Sequence, residues 1–376
     1  MGDRLAMVAF PWLVYKSTGS ALGTGAIFAL YTLPYVLFGA FAGVVIDRFN
    51  KRAVMVIADV VRAALVMVVP FAATRSLASV YVLSFVMASA SVFFDPCKLA
   101  ILPDIVGKER LLRANSLLAT GENLTEIIGY SLAGFTLAWV TTATAFRIDA
   151  LTFAVSAAAL TLMRYHAPVR AAASQTARSF WHDLHEGLSF LRHHRALLLN
   201  TLMVVAFVAG LGASYPLTFL FAVRTLHAGT EAFGAFEAVI GAGYLVGSLA
   251  LATLATRVRK GYAMAVGWAV MGVGLMAVAL AGAVWQAFIP FAVFGLANAV
   301  ALIAVDTWLQ DVVPERLRGR VFGARFTLTQ GTYALSVLVG GALAGIVDVR
   351  VLLVAAGVLM AIPGLAALFV RDIREA

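Results

Sequence analysis

The run Gly39-Ala40-Phe41-Ala42-Gly43-Val44-Val45-Ile46-Asp47-Arg48-Phe49-Asn50-Lys51-Arg52 takes an apolar segment rich in small residues into a short charged turn, and a second apolar segment follows at once. Gly39 and Gly43 are four residues apart, so on a helix they share a face, and the missing side chains let a neighbouring backbone approach. Arg48, Lys51 and Arg52 crowd into the turn, and basic residues clustered between spans hold a loop on the cytoplasmic side of a membrane. The stretch reads as a tight basic hairpin between two spanning helices.

Composition agrees. Of 376 residues, 62% are hydrophobic and 12% charged, with a mean hydropathy of +0.93. That apolar content lies well beyond an ordinary soluble domain and indicates an all-α polytopic membrane protein. The net charge of +9 and pI near 9.9 come from basic residues scattered through short loops between apolar runs. Membrane orientation accounts for that pattern, and nucleic acid is not an expected partner. The single cysteine, Cys97, excludes an intramolecular disulfide framework. There is no phosphate-cradling loop with Lys and Ser or Thr, no Gly-x-Ser-x-Gly elbow and no His-Glu-x-x-His helix, so neither an enzyme nor a bound cofactor is expected. Without a nucleotide site, the energy source for any transport is a gradient.

The charged turn resembles the signature loop of the major facilitator superfamily, Gly-x-x-x-Asp-Arg-x-x-Arg-Arg in form, matched by Gly43, Asp47, Arg48, Lys51 and Arg52. The resemblance implies a major facilitator fold, with Asp47 against the amino end of the eleventh helix, around Arg318-Gly319-Arg320, as a latch on one of two transport states. Before this loop, Leu5 to Tyr15 is an uncharged run of 11 residues. As a helix it covers about 16 Å, whereas a bilayer core of about 30 Å needs roughly 20 residues. The first helix is therefore expected to be truncated, by a late start or a real deletion. In relatives the Gly-Asp pattern, here Gly2 and Asp3, lies near the middle of that helix, which makes Asp3 a proton-coupling candidate.

The third helix, from Ala53 to about Ala73, carries Asp59 and Arg62 at i and i+3, on one face and deep enough to need partners. They are read as an interior ion pair, with a role in transport as the alternative. The phrases Phe93-Phe94-Asp95-Pro96-Cys97-Lys98 and Arg113-Ala114-Asn115-Ser116 resemble the exporter branch that includes macrolide efflux pumps and the enterobactin exporter. The fourth helix descends to Lys98, which is counted among the basic residues facing the cytoplasm, and an irregular basic segment follows it. In the fifth helix Glu122 and Glu126 share a face, about 13 and 20 Å from Arg113. Two acids near mid-membrane suggest a proton site. Gly129-Tyr130-Ser131-Leu132-Ala133-Gly134 takes the place of the family's Gly-Pro-x-x-Gly-Gly antiporter motif, with Tyr130 for proline and Ala133 for a glycine. Arg147 and Asp149 are read as a structural pair near the outer surface.

Residues 1–165 are expected to form an amino-terminal six-helix bundle, 166–194 a cytoplasmic connector and 195–376 a second six-helix bundle. In the connector Trp181, Leu184, Leu188 and Leu191 recur at helical spacing, the pattern of a helix lying at the interface. His166, His182, His185, His193 and His194 fall there without the tight ligand spacing of a metal site. The halves repeat in parallel: Gly39 aligns with Gly247, and Leu102-Pro103-Asp104-Ile105-Val106 with Leu309-Gln310-Asp311-Val312-Val313, at nearly the same offset. Ala255 replaces the acid in the second loop. Glu237, Asp306 and Arg325 are the interior charges of the second half, Arg325 being a further ion-pair candidate. The expected protein is a monomer in the inner membrane with both termini in the cytoplasm, exporting an amphipathic small molecule in exchange for protons. A lipid or lysophospholipid transporter, or a receptor or assembly protein on the same fold, is the alternative.

Overall fold

The computed structural model describes residues 2–107, 110–163, 165, 177–254, 259–314 and 317–370, and every regular element among them is helical. In chain order these are α1 Gly2–Thr18, α2 Ala21–Arg48, α3 Lys51–Arg75, α4 Leu77–Val106, α5 Leu111–Trp139, α6 Thr142–Leu162, α7 Ala177–His193, α8 Arg195–Leu220, α9 Gly229–Leu254, α10 Lys260–Ala279, α11 Val284–Val312, α12 Arg318–Leu343 and α13 Val349–Phe369. A π-helical turn, Phe221–Thr225, continues α8. Nine of the described helices are long and apolar enough to cross a membrane. Helices suit that setting because they satisfy their backbone hydrogen bonds internally.

The turns between helices follow their residues. Gly19 takes φ 62° where α1 reverses into α2, a conformation that costs a glycine nothing. Asn50 caps α3, accepting the Ala53 N–H at 3.2 Å, and Thr141 does the same for α6 through the Thr144 N–H. At the first of these caps the quoted hairpin turns. α2 runs to Arg48 and α3 starts at Lys51, so the break is two residues long. α4 departs from expectation. It stays helical through Pro96 and Pro103 to Val106, with no irregular segment after Pro96. Each proline removes only one donor from a long ladder, which a spanning helix tolerates when neighbours surround it.

The helices pair as two bundles with one plan. α2 packs on α4, α3 on α4 and α6, and α1 on α5 and α6; in the second half α9 packs on α11, α10 on α11 and α13, and α8 on α12 and α13. Replacing each helix of the first set by the one seven places later gives the second set. Small residues make the closest of these contacts: a Cβ on Gly295 of α11 would lie 1.9 Å from the Ile240 carbonyl oxygen of α9. In a membrane such packing, rather than apolar burial, drives association.

The same pairing fixes the turn end of each bundle. Lys51 is buried and donates from Nζ to Asp104 Oδ2 at 2.7 Å and to the Ala100 carbonyl at 2.7 Å, clasping α3 to α4. Arg52 donates to the Met163 carbonyl at 2.8 Å. In the second half Lys260 pairs with Asp311, clasping α10 to α11. The connector helix α7 docks on the carboxyl half. Leu191 packs among Trp308, Leu309, Val313 and Leu317, Glu186 pairs with Arg320, and a Cβ on Gly187 would lie 2.3 Å from the Arg320 carbonyl. His185, His193 and His194 are exposed, and no group of three metal-ligating side chains occurs among the described residues.

Candidate functional site

α5 and α12, which occupy equivalent places in the two bundles, are less apolar than most of the other spans. The reason is that both line a cavity between the halves. Its volume is about 1060 Å³, and its wall draws on α1 to α6 of the amino half but only on Tyr215, Gln330, Tyr333 and Val337 of the carboxyl half. The polar groups are set among rings: Phe28, Tyr31, Tyr35, Phe94, Phe153, Tyr215 and Tyr333 share the wall with Asp3, Arg4, Asp59, Arg62, Asp95, Lys98 and Glu122. Such a wall offers rings to apolar surface and carboxylates to positive charge.

The cavity is sealed at the end that carries the Gly19 turn. α2 meets α12 where a Cβ on Gly25 would lie 2.4 Å from Gly341 Cα. α5 meets α9 where a Cβ on Gly134 would lie 2.7 Å from the Thr230 carbonyl oxygen, and one on Gly234 2.5 Å from the Tyr130 carbonyl oxygen. Beneath these contacts lies an aromatic plug. Phe28 stands edge-on to Tyr215 with ring centroids 5.1 Å apart and to Phe219 at 5.9 Å, and Phe233 meets Phe219 at 5.3 Å. The Tyr130 and Tyr215 hydroxyls are 2.6 Å apart, one hydrogen bond from the first half to the second. Arg4 donates to the Tyr130 hydroxyl at 3.2 Å. The tyrosine at the proline position of the resembling motif is therefore a cross-half contact.

Toward the Asn50 turn the halves part. A Cβ on Gly39 of α2, Gly121 of α5, or Gly319, Gly323 or Gly331 of α12 would meet nothing within 4 Å among the described residues. Gly43, Asp47 and Arg48 have helical backbones, but their side chains lie outside the described residues, as does that of Glu126. The latch and the second acid of the fifth helix are therefore proposals rather than observations.

The interior charges organise around two cations. Arg62 of α3, fully buried, pairs through Nη2 with Asp59 and through Nη1 with both oxygens of Asp3 at 3.2 Å, and donates to Ser91 Oγ at 3.2 Å. Its guanidinium is held between two rings, 4.4 Å from the Phe94 centroid and 4.7 Å from that of Phe153. Lys98 of α4 lies in the cavity wall. It pairs with Glu122 at 2.5 Å and approaches Asp95 at 3.7 Å, while the Tyr35 hydroxyl donates to Asp95 at 2.8 Å. The chain Tyr35, Asp95, Lys98 and Glu122 thus ties α2, α4 and α5 along one wall.

Two expected pairs are corrected. Arg147 is exposed and Asp149 fully buried, because residues two apart on a helix point to nearly opposite sides. Neither Asp149 oxygen has a hydrogen-bond partner among the described residues. Arg325 is buried, but it donates to the Asn200 side-chain oxygen at 2.7 Å and forms no ion pair among the described residues. Spacing alone missed Tyr35, Asp95, Gln330, Tyr215 and Tyr333. Their roles come from helix packing across long sequence separations, although an aromatic stripe beside acids was a usable signal.

Comparison with known proteins gives a consistent set. The family model described as Major Facilitator Superfamily matches residues 1–331 and 224–376. Over its whole length the chain is 26% identical to a protein named multidrug efflux pump Tap of Mycolicibacterium fortuitum, covering 93% of that protein. It is 28% identical, again over its whole length and over 91% of the relative, to the MFS-type transporter YfiS of Bacillus subtilis. Among solved structures it is similar to the nucleoside transporter NupG, with a TM-score of 0.74 over 98% of this chain and 99% of the other, at 13% identity. That likeness concerns the fold.

Proposed function

The chain belongs to the Major Facilitator Superfamily, and on that premise we propose that it exports an amphipathic, cationic small molecule from the cytoplasm in exchange for protons. The observation that carries the reading is the cavity itself: carboxylates set among aromatic rings, sealed at one end and parting at the other. The relatives named as multidrug efflux pumps favour export over uptake. The basic turns of the sequence favour an orientation in the inner membrane with the Asn50 end toward the cytoplasm. In that orientation the cavity opens inward, ready to load. Alternating access then requires the halves to rock about the cavity, parting the Gly25–Gly341 and Gly134–Gly234 contacts as the inner ends meet. The acids lining the amino half, Asp3 and Glu122 with Glu126 further along α5, supply negative charge that a proton or a cationic substrate neutralises.

The test is efflux. Inverted vesicles from an efflux-deficient bacterium expressing the chain should accumulate a lipophilic cation such as ethidium when an inward-acid gradient is imposed, and an uncoupler should abolish the accumulation. Saturable binding of such cations without gradient-driven flux would reject export and leave a receptor on a transporter fold.

A further inference from the structure

Asp149 is unlike every other acid in the described cavity region. It lies on α6 with zero exposure, and both of its carboxyl oxygens lack a donor among the described residues. The elements packed on α6 are α1, α3 and, more loosely, α5. The described charged groups within electrostatic reach of it are Asp3 from α1 and Arg62 from α3, the latter paired with Asp59; Tyr31 of α2 is also within reach, and Met1 and Glu126 lie outside the described side chains. Arg62 lies within electrostatic reach of Asp149, and its guanidinium is committed to Asp59 and Asp3. Ionising Asp149 with no donor in a buried setting costs more than keeping its proton, and a rearrangement of Arg62 toward it would offset that cost.

We propose that Asp149 is a proton-carrying group of this transporter and that Arg62 transmits its state to the cavity. With the proton on Asp149, Arg62 holds Asp3, as in the present structure. When the proton leaves Asp149 for water, its new negative charge draws Arg62 away from Asp3. The Asp3 carboxylate, about half exposed on the cavity wall, is then free to take a cationic substrate. Reprotonation from the other side returns Arg62 to Asp3 and expels the cation. On this route the proton sits on Asp149 and the cation on Asp3, and each weakens the other through one arginine, adding to any direct competition at the cavity acids. The buried, ring-sandwiched position of Arg62 suits it to moving between fixed alternatives rather than to solvation.

The inference rests on the proton-coupled export of cations proposed above, and its test separates the two. Infrared difference spectra of the purified wild-type protein should contain the carbonyl band of a protonated, buried carboxylic acid, and Asp149→Asn should lack it. Asparagine has nearly the shape of the neutral acid, so the variant should fold. If it does not, Asp149→Glu should shift the band and its pH midpoint. Binding of tetraphenylphosphonium to wild type should tighten at least tenfold as pH rises and release about one proton per cation in weakly buffered solution. Asp149→Asn should bind weakly at every pH and release fewer protons than wild type. An unaltered band, or unaltered pH dependence and proton release, in folded Asp149→Asn would overturn the proposal. If wild type fails to bind the cation, the substrate reading falls, and the band in Asp149→Asn still decides whether Asp149 carries a proton.

Discussion

At the scale of single residues, the site separates groups that hold a fixed structure from groups that hold a charge for exchange. Glu122 neutralises Lys98 at 2.5 Å on the cavity wall. Its replacement by glutamine leaves Lys98 with only Asp95 nearby and turns that wall positive. The expected result is a KM about tenfold higher for cationic substrates, equivalent to about 1.4 kcal/mol, with neutral dyes changed less than about twofold. Equal effects on both substrate classes would contradict it. Tyr130 makes a different prediction. Tyr130→Phe keeps the ring of the plug and removes one cross-half hydrogen bond of about 1 kcal/mol. The sealed end should then open about fivefold more often, read as faster labelling of a cysteine placed beside Tyr215. Of these residues, Asp59 and Arg62 were legible because both partners lie on one helix at a fixed spacing. Asp3 found the same arginine across 59 positions of sequence, which no spacing rule reaches. Lys98 was read only as a basic residue facing the cytoplasm, because its partner Glu122 lies on another helix.

Helices are the next level, and there the sealed end depends on absent side chains. Gly25 and Gly341 bring α2 and α12 into backbone contact. Gly25→Leu puts four carbons where 2.4 Å remains for the first of them, an overlap that small shifts do not relieve. The bundles need not unfold, since the halves can part there. We expect normal insertion, loss of at least nine-tenths of the flux, and permanent solvent access to the aromatic plug. Wild-type flux in Gly25→Leu would mean that these helices do not close together during turnover. The small-residue face of the quoted hairpin was read as a contact surface, and Gly39 at the parted end meets no neighbour in this state. Sequence marks where helices are able to touch. Which conformation brings them together is a property of the assembled halves.

For the whole molecule the question is what sets the balance between states. The parted end includes the start of α12, where Gly319 stands clear of other described residues. We propose that, when the cavity closes at that end, Asp47 comes to the amino terminus of α12, whose dipole and basic side chains would favour a carboxylate by about 1 kcal/mol. Asp47→Asn should shift the population toward the state open at the Asn50 turn and slow flux without affecting insertion. Cross-linking between cysteines at positions 47 and 319 that is as efficient in an otherwise inactive, inward-locked variant as in an active one would argue against such a latch. The two-bundle plan was largely legible, since apolar length, basic turns and the internal repeat all derive from local composition. The shape of the cavity was not, because it depends on how two bundles meet.

The pairing of helices also bears on how the chain is made. Apart from the connector's docking, the main contacts between the halves are those of α2 with α12 and α5 with α9; the other major pairings join helices of the same half. Each half also closes its own clasp, Lys51 with Asp104 and Lys260 with Asp311, using partners about 50 residues apart. The amino half can therefore reach its native packing at the translocon while the ribosome is still synthesising α8. It follows that two separately encoded pieces, divided in the 166–176 segment, should assemble in the same membrane and recover transport.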